Sequence, residues 1–184
     1  ALAETLGFLE SCISIASYRE SLPYYCLPTL FHGKGAWYQA EKLYHPSIEN
    51  PVPNSIKEDC CVLLTGSNAS GKSTFLKAAA LCSILAQTIN TVPASRFEAN
   101  YYRVYSSMAL RDNLTSMESY FVVEIKSLKR ILDSISQDDT PVLCFVDEVL
   151  RGTNTVERIA ASTQILKSLA EKNGMCFAAT HDVE

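Results

Sequence analysis

Residues 66–73 constrain this chain more than any other stretch. They read G-S-N-A-S-G-K-S and satisfy the phosphate-loop pattern G-x-x-x-x-G-K-[ST] at every fixed position. Gly66 and Gly71 supply backbone conformations that other residues enter at a cost, so the amides of Ser67, Asn68, Ala69 and Ser70 can turn inward on a β-phosphate. A helix starting at the loop's end adds the positive end of its dipole. In that frame Lys72 reaches the β- and γ-phosphates, the Ser73 hydroxyl takes a Mg²⁺ coordination position, and Thr74 completes the binding stretch. An accidental match is expected in fewer than about one chain in a hundred of this length. The flanks agree with the motif. Residues 60–65 (C-C-V-L-L-T) form an apolar run, as expected of a strand buried on both faces. Residues 74–87 have helix-forming composition and stop before Pro93.

A second acidic element complements the loop. Asp147 and Glu148 directly follow the apolar run V-L-C-F-V at 142–146. In a parallel sheet ligands gather at the carboxyl ends of strands, where these two acids would emerge. Asp147 there can hold Mg²⁺ through its water shell, and Glu148 can orient or deprotonate an attacking water. Alone, the pair reads equally as a solvated loop start. His181 follows a third apolar run at 175–180. It is either a sensor of the γ-phosphate or an ordinary loop histidine. Ser119 stands where a helix opens; by sequence logic it is a cap, with an anion contact as the alternative.

The rest of the chain fits an α/β domain. Leu2, Leu6, Leu9, Ile13 and Ala16 recur at helical spacing up to about Arg19. Residues 23–28 break that helix, 36–44 read as a strand, 45–54 as a proline-rich connection and 103–110 as a further strand. The T-x-x-E signal at 115–118 starts a helix whose expected buried row is Phe121, Ile125, Leu128, Leu132 and Ile135. A last helix is expected over 155–172, with Val156, Ile159, Ala160, Leu166 and Leu169 inward. Fully apolar strands alternating with helices predict a mainly parallel sheet covered by helices on both faces. A net charge of −4 provides no general basic field for nucleic acid. None of the seven cysteines forms a C-x-x-C pair, and the three histidines share no metal-ligand spacing, so buried thiols in a reducing cytosol are expected. Lack of a signal peptide or of about 18 consecutive apolar residues predicts a soluble cytoplasmic chain with no membrane partner. Both ends read as cut from a longer protein.

Taken in order, T-G-S-N-A-S-G-K-S-T (65–74), D-N-L-T-S-M-E-S-Y-F-V-V-E-I (112–125), D-E-V-L-R-G-T-N-T (147–155) and A-T-H-D (179–182) resemble the ATPase domain of the MutS family of DNA mismatch-repair proteins, a branch of the ABC-type ATPases. His45-Pro46 and the opening A-L-A-E are similar too. The resemblance implies an ABC-type P-loop fold with a short helical appendage. Residues 1–22 would end a helix from a preceding domain, and 23–184 would be the ATPase domain, truncated at its C-terminus. It implies ATP and Mg²⁺ as cofactors, with Lys72 and Ser73 on phosphate and metal, Asp147 on the metal through water, Glu148 on the nucleophile and His181 on the γ-phosphate. Ser119 would be the signature serine, contacting ATP bound by a second copy of the domain, with 151–155 lining the same interface. DNA would be engaged through other parts of the parent protein.

Departures mark a divergent member. Ser67, Ala69 and Ser70 stand where the family has Pro, Met and Gly, and Met117-Glu118 stands where it has Gly-Arg. An acid beside Ser119 would weaken the contact in trans. The aromatic that commonly stacks on adenine has no counterpart, leaving Val52 or Ile48 to serve. The alternatives are another ABC-type ATPase, in chromosome maintenance or transport, and a non-hydrolysing nucleotide sensor that signals by dimerising.

Overall fold

A computed structural model describes residues 2–67, 69–108, 120–135, 140–147, 159, 160, 163, 164, 166–168, 171 and 174–180. Two sheets and three helices organise them. The first helix, α1 (Leu2–Ser21), forms where the helical spacing predicts it, but none of its residues is buried against the described chain. Its apolar row, Leu2, Leu6, Leu9 and Ile13, is exposed. The helix is fastened near its end. Arg19 donates to Thr91 Oγ1 at 2.8 Å and to the Asn90 carbonyl at 3.2 Å, and its guanidinium lies 5.4 Å from the Tyr25 ring centroid.

The expected parallel sheet is present. It contains β4 (Val62–Thr65), β6 (Arg103–Ser107), β7 (Val142–Asp147) and β8 (Gly174–Thr180), in the order β4-β8-β7-β6 with every pairing parallel. Alternation along the strands divides its two faces. Leu143, Phe145, Met175, Phe177 and Ala179 join the core around α2 (Lys72–Thr88), whereas Val142, Cys144, Val146, Cys176 and Ala178 meet α3 (Tyr120–Ile135). Helices therefore cover both faces. The strand ahead of the loop departs from expectation. It starts at Val62 and is only half covered, with Leu63 52% exposed, because β4 is the terminal strand of the described sheet.

A second sheet stands across α2; of its strands, β2 falls where the sequence predicts one, at 36–44. It orders β1 (Thr29–Phe31), β5 (Arg96–Asn100), β2 (Tyr38–Leu43) and β3 (Asn54–Glu58) as β1-β5-β2-β3, with β2 antiparallel to both its neighbours. The pairing of β2 with β3 shifts between Ala40 and Leu43. Lys42 there has φ of 50° and its amide donates to Ser55 Oγ at 3.0 Å instead of to the ladder. One aromatic cluster ties the sheets together. Tyr38 meets Phe97 at 5.2 Å and Phe177 at 5.0 Å, edge to face, and Phe177 stacks on Phe145 at 5.4 Å. The Tyr38 hydroxyl donates to the Ala79 carbonyl in α2 at 3.2 Å. Each such fully buried ring contributes about 1.5–3 kcal/mol of hydrophobic stabilisation.

In α3 the buried row is shifted from the expected one. Leu128 and Ile135 are buried as read, but Ile131 joins them, Leu132 is only partly covered and Ile125 is exposed. The row continues to Glu124, which is 2% exposed. Two neighbouring rows of this helix are apolar enough to serve, and spacing alone does not choose between them. Phe121's side chain and the expected helix start at 115–118 lie outside the described residues, as do 109–119 generally. At the other end of α3, Arg103 donates to the Ser134 carbonyl at 2.8 Å and to that of Thr140 at 3.4 Å, a cation where the helix dipole is negative. The described part of the last expected helix is helical, and Leu166 packs against the α3 core. No described helix is long and apolar enough to cross a membrane.

The thiols are free; Cys82, Cys144 and Cys176 are buried and Cys26 and Cys61 half-buried, but Cys12 and Cys60 are exposed, against the expectation of buried thiols. Cys61, Cys176 and Cys144 line up across β4, β8 and β7 on the α3 face. Hydrogen bonding with Cys144, then burial, hold the Cys176 thiol well above its ordinary value, and burial raises Cys61. Groups kept neutral in this way are poor nucleophiles.

Candidate functional site

The chain leaves β4 at Thr65 and turns at once. Gly66 has φ of 147°, Ala69 of 61° and Gly71 of 91°. At Gly71 a Cβ would meet nothing within 4 Å, so its requirement for glycine is one of backbone conformation. At Gly66 space matters too, since a Cβ would lie 3.3 Å from Ser70 Oγ. Gly71 is the N-cap of α2 and offers no side-chain cap; its carbonyl accepts from the Phe75 amide at 2.9 Å. The first amides of α2 thus lack the usual capping oxygen, and no acid stands in the first turn. An anion at the loop mouth meets both the amides and the positive dipole end.

Lys72 folds back over this loop. Its Nζ donates to the Gly66 carbonyl at 2.6 Å and the Ser67 carbonyl at 2.8 Å, with Ser70 Oγ at 3.4 Å. The ammonium therefore lies against the carbonyls of the loop itself. Ser73 follows in the first turn, half-buried, and Thr74 is exposed beside it.

The register of the parallel sheet sets Asp147 on the same edge. Thr65 pairs with Thr180, and Asp147 with Ala179, so β4, β8 and β7 end together. With β8 between them, the loop and Asp147 stand two strand spacings apart, roughly 10 Å. Oxygen donors few in number suit Mg²⁺, which keeps waters and takes phosphate oxygens rather than a full protein cage. Ser73 and Asp147 are such donors, and among the described residues there is no group of three or more His, Cys, Asp or Glu able to hold a metal by itself. Glu148 and His181 directly follow the described ends of β7 and β8. They lie outside the described residues, as do Asn68, Ser119 and the 151–155 segment.

An open cleft of about 910 Å³ extends from the loop toward the second sheet. Its lining includes Gly66, Ser70 and Lys72 of the loop and His45, Ile48 and Val52 of the 45–54 segment. Ile48 and Val52, named from sequence as the candidates to lie on a base, are 40% and 80% exposed. What the sequence did not reveal is the opposite wall. Asn54 and Ser55 of β3 contribute to it, and the reading of 45–54 as a connection gave no sign that a strand starts at Asn54.

Comparison with known proteins follows the same lines. Residues 62–184 match the family described as MutS domain V. The chain is 34% identical over 145 residues to the DNA mismatch repair protein MutS of Thermus aquaticus, covering 76% of this chain and 18% of that protein. It is 31% identical over 191 aligned residues to the MutS protein of Lactobacillus acidophilus, covering 98% of this chain and 22% of that one. It thus spans about a fifth of the length of these relatives. The loop, the aligned acid and the matched residues together establish that this chain belongs to the MutS family, of which it carries domain V.

Proposed function

We propose that this chain binds ATP with Mg²⁺ and hydrolyses it to ADP and phosphate, as one of a pair of such domains in a longer DNA mismatch-repair or recombination protein. One observation carries the reading: the 66–73 loop and Asp147 share one edge of a parallel sheet, and the loop opens on a nucleotide-sized cleft, in a chain matching MutS domain V.

The chemistry is positioning and charge stabilisation of an in-line water attack. On binding, Lys72 Nζ exchanges the neutral Gly66 and Ser67 carbonyls for charged phosphate oxygens, which accept the stronger bond. Loop amides and the start of α2 take the remaining oxygens. Ser73 and Asp147 would hold Mg²⁺, which when bound neutralises phosphate charge. Glu148, the residue after Asp147, orients or deprotonates the water, and His181, the residue after β8, reads the γ-phosphate. Ser119 of a second copy completes the site, so nucleotide state and dimer geometry are coupled. The parent protein relays that geometry to DNA through its other parts.

The test is phosphate release per molecule as a function of protein concentration. A site completed in trans forms only in the dimer, so the rate should rise with concentration. Glu148→Gln should accumulate uncleaved ATP and sediment as a dimer with Mg-ATP, and adding Ser119→Arg should return it to monomer. A brisk rate independent of concentration would refute the paired site. Unchanged ATP affinity in a folded Lys72→Ala variant would refute the site itself. Binding without phosphate release above background would leave a nucleotide sensor.

A further inference from the structure

Resting on the nucleotide reading, we infer that His45 is a base-reading residue: its Nε2–H donates to a ring nitrogen of the purine. The cleft has a phosphate end and a far end, and the far end is walled by the 45–55 segment. A nucleotide seated with its phosphates on Lys72 extends its base toward that wall. Ile48 and Val52 supply apolar surface there, which is indifferent to which base they cover. Orientation needs a polar group.

His45 meets that need with a ring whose orientation is set. Of its polar neighbours, Asn54 spends one N–H on the Val52 carbonyl at 3.0 Å, and Ser55 Oγ accepts the Lys42 amide at 3.0 Å. His45 Nδ1 accepts the Ser47 amide at 3.2 Å. A neutral imidazole carries one proton, so this bond fixes it on Nε2 and makes that edge a donor. The bonded edge faces the residue's own turn and His45 lines the cleft, so the Nε2 edge is the one assigned to the base.

The backbone that carries the ring is also held in place. Tyr44, immediately before it, is buried, its amide donates to the Pro93 carbonyl at 3.1 Å and its hydroxyl to the Tyr24 carbonyl at 2.7 Å. The Tyr24 hydroxyl answers with a bond to the Lys42 carbonyl at 2.8 Å. On the other side the Ile48 amide closes the turn onto the His45 carbonyl at 3.2 Å. A donor fixed from both sides loses little freedom on binding, which is how a single hydrogen bond becomes selective.

Calorimetry with three ligands in Mg²⁺ tests this: ATP, ribose 5-triphosphate, which lacks only the base, and inorganic tripolyphosphate. His45→Ala should weaken ATP by about 2- to 12-fold, the worth of one net hydrogen bond, and leave the other two unchanged. His45→Gln, whose amide nitrogen reaches the place of Nε2, should recover most of the ATP affinity. Equal weakening of all three ligands by His45→Ala would overturn the base contact in favour of a structural role for the turn. No effect on ATP would overturn it as well, as would loss of ribose 5-triphosphate affinity alongside ATP. A wild-type chain that binds neither ATP nor tripolyphosphate fails differently: the phosphate site is then wrong, and the base contact falls with it.

Discussion

Gly71→Ala isolates the backbone geometry of the loop from its chemistry. The substitution adds one methyl group where nothing lies within 4 Å, so no clash contributes. All of its effect arises from holding a residue with a Cβ at φ of 91°. Such conformations cost about 1–3 kcal/mol. The chain can bear that cost with the loop intact, or let the loop relax and lose its inward amides. In the first case thermal unfolding falls by about 2–4 °C per kcal/mol, hence by roughly 2–12 °C. In the second, the melting point holds and ATP affinity drops. Differential scanning calorimetry beside an ATP titration distinguishes the two. Gly7→Ala is the control: Gly7 lies inside α1 with nothing within 4 Å of an added Cβ and no left-handed angle. There alanine should strengthen the helix by about 0.5–1 kcal/mol. A Gly71→Ala chain matching wild type in both melting point and ATP affinity would refute the geometry given for the loop.

Two further outcomes follow from the core and the buried titratable groups. Phe177→Ala should cost about 3–5 kcal/mol in urea unfolding, because this fully buried ring touches Tyr38 and Phe145 at once; a loss below about 1 kcal/mol would mean the sheets do not share a core. Alkaline stability should decline in a defined window. Burial raises Cys26 from 9.0 to about 11 and Tyr102 from 10.0 to about 12, the latter against the opposing bond to the Trp37 carbonyl. The unfolded chain therefore releases these protons first as pH rises, so stability is full below about pH 9 and is lost progressively toward pH 11–12. Denaturant midpoints that stay flat from pH 8 to 12 would contradict this.

The sequence announced the loop, the two inner strands and α2 because each has a local cause. G-x-x-x-x-G-K-S is contiguous, V-L-C-F-V is apolar without interruption, and A-A-A-L-C has helical propensity. Apart from β2, which the 36–44 reading anticipated, the second sheet has no such local cause. Its strands carry Gln39, Lys42, Lys57, Glu58 and Arg96, and β1 spans only Thr29–Phe31, so what makes them strands is pairing with residues far along the chain. Likewise Ile131 rather than Ile125 is buried in α3 because the sheet lies on that side. The phosphate end of the cleft was legible for the same reason as the loop; of the rest, Ile48 and Val52 were named from the sequence, but the part played by His45, Asn54 and Ser55 was not, because they join the cleft only through the fold.

The helix that begins at Lys72 is gripped from both sides. Leu76, Ala78, Ala79 and Ala80 are all buried, and α2 touches β2 in one sheet and β6, β7 and β8 in the other. Its small residues let both sheets approach the helix closely. A push of even a fraction of an ångström at the N-terminus has no soft layer in which to dissipate. It passes to Tyr38 through the Ala79 carbonyl on one side and to the strand ending in Asp147 on the other. In mechanical terms α2 is a piston in a close-fitting sleeve: whatever displaces Lys72 and the loop must either leave the helix still or carry both sheets with it.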